Sequence, residues 1–270
     1  MTLYRPDHST HRIVIPSRPP PEFERLLGGA TPDEVLVASD FDGTLAPIID
    51  RPERARALPG ALEAMQRLVP KLRRLLIVSG RANADLRRFL PVDGVELKGD
   101  YGLGDPTPDE RDALDRLAAE LGPLLDPLPA VWLERKPGSM TVHYRDAPEA
   151  GAELGPRVTV LAEARGLRAR LGRMVVEVMP GRADKALALA AEIEALRPGA
   201  VIFAGDDTGD RGCFELVAAL PVGHLAVGVR SPEADPALFE RCDLVVDGPA
   251  EWVALLTELA NWAESGTVGV

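Results

Sequence analysis

Four short stretches of this chain hold residue types that together could carry out phosphoryl transfer. They are Asp40-Phe41-Asp42-Gly43-Thr44, Ser79-Gly80-Arg81, Lys185, and Gly205-Asp206-Asp207 with Asp210 close behind. A phosphate monoester is a dianion that repels nucleophiles, and enzymes accelerate its hydrolysis by up to about 10²¹-fold. A carboxylate can attack phosphorus and form an aspartyl-phosphate. A second acid must protonate the leaving oxygen and then take a proton from water. Asp42, two residues beyond Asp40, can reach across the turn to do this. A divalent cation such as Mg²⁺ removes the repulsion and clamps the oxygens; it favours a few carboxylates and keeps several waters. Lysine adds a compact positive charge. Gly43 permits a tight turn, and backbone N–H groups entering a helix can cradle phosphate.

These groups need a scaffold that brings them to one place. Val35-Leu36-Val37-Ala38-Ser39 is a short apolar run ending at Asp40, as expected of a buried parallel strand. Similar runs at 75–78, 95–97, 201–204, 225–229 and 244–246 alternate with helical spacing at 60–72, 82–90, 184–196 and from Pro249 onward. Strand and helix in alternation predict an α/β fold with a Rossmann-like parallel sheet and helices on its faces. Ligands of such sheets bind beyond the carboxyl ends of the strands. Asp40, Ser79 and Asp206 follow three of those ends.

Between about Asp105 and Pro180 the pattern changes. A helix over 108–124 precedes alternating strands at 131–134, 140–145 and 174–178, with a helix near 148–165, so an inserted α+β module is expected. The resulting division is a flexible N-terminal extension over 1–30, core over 31–104, insertion over 105–180, and core again over 181–270.

The bulk numbers exclude several classes. A net charge of −11 without a long basic run argues against nucleic acid or an anionic membrane as partner. No apolar run reaches the roughly 18 residues of a membrane span. Two cysteines without metal-type spacing point to reduced thiols and a cytoplasmic protein. The oligomeric state is not encoded in any recognisable pattern.

Each residue also has a plainer reading. Asp-x-Asp-Gly is a common turn. Ser79 ahead of a helix could be an N-cap, and Lys185 could be a solvated helix lysine. Asp206, Asp207 and Asp210 could simply favour a helix N-terminus. Trp132 is expected in the core, and His143 could be a satisfied structural histidine. His8 and His11 lie in the extension. Order along the chain is what favours chemistry for the acidic stretches.

Taken together, these stretches resemble the four motifs of the haloacid dehalogenase-like phosphatases, in the family's order, over roughly residues 33 to 260. The insertion falls where the sugar-phosphatase branch carries an α/β cap. Leu45-Ala46-Pro47-Ile48, Gly99-Asp100-Tyr101-Gly102, Glu134-Arg135-Lys136-Pro137-Gly138-Ser139, His143-Tyr144-Arg145 and Glu177-Val178-Met179-Pro180-Gly181 make the chain look most like the trehalose-6-phosphate phosphatases of that branch. The resemblance implies Asp40 as nucleophile and metal ligand, and Asp42 as acid/base that also lends its backbone carbonyl to Mg²⁺. It implies Asp206 and Asp210 as further metal groups, with Thr44, Ser79, Gly80, Arg81 and Lys185 holding phosphate. Glu134, Lys136, Ser139, His143 and Glu177 would contact the sugar. The substrate implied is trehalose 6-phosphate; sucrose phosphate, glucosyl-glycerol phosphate and mannosyl-glycerate phosphate are the alternatives. Gly209, Arg211 and Tyr101 depart from the family's usual Thr, Glu and His.

Overall fold

The computed structural model describes residues 2–4, 12–14, 25–49, 51–103, 106–136, 138–172, 174–231 and 234–265. His8 and His11 lie outside them. In chain order the strands are β1 (Thr2–Tyr4), β2 (Arg12–Val14), β3 (Val35–Ser39), β4 (Arg74–Val78), β5 (Glu96–Lys98), β6 (Trp132–Arg135), β7 (Met140–His143), β8 (Leu167–Gly172), β9 (Val175–Pro180), β10 (Ala200–Gly205), β11 (Gly223–Arg230) and β12 (Leu244–Asp247). The α-helices are α1 (Ala61–Leu68), α2 (Asn83–Phe89), α3 (Pro108–Leu125), α4 (Gly151–Glu163), α5 (Lys185–Leu196), α6 (Arg211–Ala218) and α7 (Gly248–Ser265). The chain divides into two compact units, 1–102 with 185–270, and 103–184. No helix among the described residues is long and apolar enough to cross a membrane.

The first unit is built on one sheet in the order β2-β1-β12-β11-β10-β3-β4-β5. From β12 to β5 all neighbours are parallel, and β1 and β2 add an antiparallel edge. Alternation along each central strand divides the core between its two faces. Val35, Val37, Leu75 and Ile77 join one cluster, closed by α1 and α7 through Met65, Trp252 and Leu256. Leu36, Ala38, Leu76 and Val78 join the other, closed by α5 and α6 through Leu189, Phe214 and Val217. Both faces are covered, so these strands read as unbroken apolar runs rather than alternating ones.

Chain order reverses between β3 and β10. From β3 the sheet grows one way through β4 and β5, and from β10 the other way through β11 and β12. Such a switch point opens a crevice at the strand carboxyl ends. Asp40 and Asp206 follow those two strands directly.

The second unit is a four-stranded antiparallel sheet, β6-β7-β9-β8. Helices α3 and α4 cover one face, with Leu117, Leu121 and Val158 packed on Met140, Val142, Val176 and Val178. Helix α3 begins at a capping box in which the Thr107 hydroxyl accepts from the Glu110 N–H and Glu110 accepts from the Thr107 N–H. Strand β8, Leu-Arg-Ala-Arg-Leu-Gly, escapes sequence reading. It is an edge strand whose arginines and glycine disguise the apolar alternation that marks the inner strands.

Candidate active site

The loop after β3 is a tight turn fixed by its own backbone. Gly43 donates to the Ala46 carbonyl at 2.7 Å, and the Leu45 and Ala46 N–H groups both donate to the Phe41 carbonyl at 2.9 Å. Position 43 has to be glycine for two reasons. Its φ is +77°, and a Cβ there would sit 1.9 Å from an Asp206 carboxylate oxygen. The sequence motif thus has a packing meaning: the first acidic loop leaves room for the second acid. Thr44 is fully buried, and its hydroxyl donates to Asp206 Oδ1 at 3.3 Å.

Asp40 is held from several sides. Its N–H donates to the Ala204 carbonyl of β10 at 2.9 Å. Its own carbonyl accepts from the Ser39 hydroxyl at 2.8 Å, and that hydroxyl accepts the Trp252 indole N–H at 3.1 Å. Its side chain meets Lys185, whose Nζ lies 2.9 Å from Asp40 Oδ1 and 2.8 Å from Asp210 Oδ1. Lys185 is thus a buried ion-pair residue at the start of α5 rather than a solvated one.

Asp210 organises the fourth motif. Its Oδ2 accepts the backbone N–H groups of Asp206 at 3.0 Å and Asp207 at 3.2 Å. Gly205 makes space for it, since a Cβ there would lie 2.5 Å from the Asp210 carboxyl carbon. Asp207 accepts the Gly209 N–H at 2.8 Å, which gives the departing Gly209 a place in the turn.

Asp40, Asp206 and Asp210 are all buried, and one oxygen of each lies within 4.8 Å of the others. Burial pushes the Asp40 carboxyl up to about 8, against the pull of Lys185 and reinforced by Asp210, Asp207 and Asp42. Burial pushes Asp206 up to about 9, with Asp40 and Asp210 repelling its charge further. Burial raises Asp210 too, and Lys185 opposes that shift. Ionised together, the three carboxylates beside one ammonium would carry two net negative charges in a dry site, which one divalent cation would balance. The donors are all oxygen, as a hard cation requires. The residues therefore fit Mg²⁺.

Asp42 and Ser79 lie in the segments that follow the adjacent parallel strands β3 and β4. Asp42 is paired with Arg81 by a two-pronged contact, Nε to Oδ2 and Nη2 to Oδ1, each 2.6 Å. Ser79 is buried at the end of β4, where its hydroxyl accepts the Arg81 N–H at 3.3 Å. It is not the N-cap of α2, which is Ala82. Gly80 packs against Tyr101, whose ring would lie 2.5 Å from a Cβ at position 80.

On the second unit, strand pairing puts Glu134, His143 and Glu177 on the sheet face opposite α3 and α4. Trp132 lies across from His143, Glu134 across from Thr141, and Thr141 across from Glu177. His143 Nε2 is 3.0 Å from Glu134 Oε2, and Lys136 Nζ is 3.8 Å from that same oxygen. Ser139 closes the turn between β6 and β7, its carbonyl accepting the Lys136 N–H at 2.9 Å. Trp132 corrects the expectation of a core residue. It is 52% exposed and stacks on the His143 ring at 3.8 Å and 5°. Its register with His143 places it on the sheet face that α3 and α4 leave uncovered. Thr141 and Arg170 share this face; alternation through His143 points to Thr141, whereas Arg170 lies on β8, where only the strand pairing reveals it.

Comparison with known proteins gives these sites a family. The trehalose-phosphatase profile matches residues 38–236, a span holding every site residue named above. A Mycobacterium leprae protein named trehalose-phosphate phosphatase is 33% identical over 240 residues, which are 79% of this chain and 56% of that one. A Mycobacterium tuberculosis protein of the same name is 32% identical over 258 residues, 87% of this chain and 64% of that one. A longer Mycobacterium tuberculosis protein, named an uncharacterized glycosyl hydrolase, is 36% identical over 222 residues, 75% of this chain and only 16% of its own. The chain thus spans less than two thirds of each of these relatives. In fold it is similar to the C-terminal domain of Candida albicans trehalose-6-phosphate phosphatase, with a TM-score of 0.71 at 19% identity over 89% of this chain and 96% of that one. The fold is accordingly that of a haloacid dehalogenase-type core, and the inserted antiparallel sheet fits a cap domain. By the matched span and these relatives, the chain belongs to the trehalose-phosphatase family.

Proposed function

We propose that this chain is a Mg²⁺-dependent phosphatase that converts trehalose 6-phosphate to trehalose and phosphate, a step of trehalose biosynthesis. The observation that carries the chemistry is the buried group of Asp40, Asp206, Asp210 and Lys185 at the carboxyl ends of β3 and β10. The sugar follows from the relatives, two of which are named for it. A small phosphorylated sugar is then the only partner the reaction needs, and a cytoplasmic location suits both it and the reduced thiols.

In this reading Asp40 is the nucleophile. Its carboxylate oxygen bonds to phosphorus as the bond from phosphorus to the sugar oxygen breaks, and Asp42 gives that oxygen its proton. Asp42 then takes a proton from water as the water oxygen attacks the aspartyl-phosphate, which returns Asp40 as a carboxylate and releases phosphate. Lys185, Thr44, Ser79 and Gly80 hold the transferred group. Asp40, Asp206 and the Asp42 carbonyl would hold Mg²⁺, with Asp210 shaping their loop and contributing charge. When bound, Mg²⁺ supplies the positive charge that lets carboxylates and a phosphate dianion share one site. Glu134, Lys136, Ser139, His143 and Glu177 read the sugar.

A substrate panel tests the assignment. With Mg²⁺ present, phosphate release from trehalose 6-phosphate is expected to exceed that from sucrose phosphate, glucosyl-glycerol phosphate and mannosyl-glycerate phosphate by at least about tenfold in kcat/KM, the discrimination expected when buried polar groups read hydroxyls. Equal turnover across the panel contradicts the sugar and leaves the phosphatase chemistry standing.

A further inference from the structure

Arg81 is expected from the motif to bind phosphate, yet its guanidinium fork is turned onto Asp42. Both prongs are 2.6 Å long, and the arginine side chain is only 12% exposed. An exposed ion pair of this kind is worth little. This one is built differently. The guanidinium lies over two stacked phenyl rings, 5.4 Å from the centre of Phe41 and 5.0 Å from that of Phe89, so its plane is guided before it meets the carboxylate.

The backbone of Arg81 is gripped as well. Its N–H donates to the Ser79 hydroxyl, and its carbonyl accepts the Asp100 N–H at 2.8 Å. The Tyr101 N–H donates to the Ser79 carbonyl at 2.9 Å, so loop 99–102 holds the Ser79 to Arg81 segment at both ends. That grip has a cost. Asp100 and Tyr101 are consecutive non-glycine residues with φ of 52° and 56°, in the left-handed region that L side chains rarely adopt. Gly99 is needed too, because a Cβ there would lie 2.4 Å from the Arg81 carbonyl oxygen. Strained backbone persists where surrounding contacts determine it, and it gathers at functional sites. Here the strain fixes the arginine that fixes Asp42.

We propose that Arg81 is a positioning residue whose fork aims the Asp42 carboxylate for proton transfer to and from the leaving oxygen. The role deepens the phosphatase reading and rests on it. It makes a demand that phosphate binding does not. Proton donation matters most for a poor leaving group such as a sugar alkoxide, and little for an aryl oxide. Loss of the fork therefore slows the first turnover of a sugar phosphate far more than that of an aryl phosphate.

The test is first-turnover kinetics of the Mg²⁺-loaded protein by rapid mixing, with trehalose 6-phosphate and p-nitrophenyl phosphate, for wild type, Arg81→Met and Arg81→Lys. Lysine keeps the charge and loses the fork. Both variants are expected to lose about 10²-fold on the sugar phosphate and less than about threefold on the aryl phosphate, the range of general acid catalysis. In an Asp42→Asn background, Arg81→Met is expected to change the sugar-phosphate rate by less than about threefold, because residues acting as a unit are not additive. Arg81→Lys keeps the test open should Arg81→Met fail to fold. Equal losses on the two substrates, or full additivity with Asp42→Asn, overturn the positioning role and return Arg81 to phosphate binding or packing. Wild type inert toward both phosphates sinks the phosphatase reading, and the positioning role with it; an active wild type with an unchanged substrate ratio sinks the positioning role alone.

Discussion

Asp40→Asn is expected to lower turnover at least about 10⁴-fold, the scale on which removal of a nucleophile acts. The amide cannot form the aspartyl-phosphate, and no neighbouring carboxylate stands in its place. Asp206 is held against the first loop, with the Thr44 hydroxyl on one oxygen, and Asp210 is committed to Lys185 and two backbone N–H groups. The fold should survive, since the amide is isosteric and its oxygen can still accept from Lys185. A second readout separates chemistry from damage. At pH 9, where Asp40 of the chelated protein is ionised and its charge opposes that of Asp206, its neutralisation is expected to raise the melting midpoint. Residual activity above about 1% of wild type would contradict the nucleophile assignment, given the rate loss expected above. A lowered midpoint would show that the substitution disturbs the fold instead.

Chelation is expected to abolish activity and to expose a pH dependence of stability that Mg²⁺ hides. In the metal-free protein burial holds Asp40 up at about 8 and Asp206 at about 9. Unfolded aspartates titrate near 4. Between roughly pH 4 and pH 9 the folded state therefore binds more protons than the unfolded state, and stability falls as pH rises through that window. Below it both states are protonated and the effect is flat. Mg²⁺ binds the charged carboxylates, so it stabilises most where they would otherwise be forced to ionise alone. At a hundredfold excess over its dissociation constant a ligand adds about 2.7 kcal/mol. Thermal melts at pH 5 and pH 9, with chelator and with Mg²⁺, check this. The chelated protein should melt lower at pH 9 than at pH 5, and the gain from Mg²⁺ should be larger at pH 9. Equal midpoints in chelator, or a larger gain at pH 5, would contradict the cation site.

Which parts of the site can be read from sequence follows from how local each constraint is. Asp40 and Asp206 are legible because each follows an apolar run buried on both faces, and a carboxylate at such a place needs a reason. Lys185 carries no local signal. Its ion pairs reach residues 145 positions earlier and 25 later, and only the order of the motifs promotes it. Asp210 is legible as an acid but not as the organiser of its loop, since that role depends on Gly205 and on the backbone N–H groups it gathers. The fork between Arg81 and Asp42 is hidden for the same reason, being a contact between two loops that the sheet brings together. Trp132 looks like core because a tryptophan next to an apolar run usually is, and nothing in those few residues says which face of β6 the helices cover. Strand β8 is hidden by its arginines and its edge position.

The most direct test of Asp40 as the nucleophile is to trap the intermediate. Wild-type protein with Mg²⁺ is mixed with trehalose 6-phosphate, quenched in acid within the first turnover, and digested for mass analysis. A phosphoryl group on the peptide holding Asp40, absent from Asp40→Asn, is the result expected. Phosphate released with no phosphorylated peptide at any quench time, or a phosphoryl group on a peptide lacking Asp40, would contradict it.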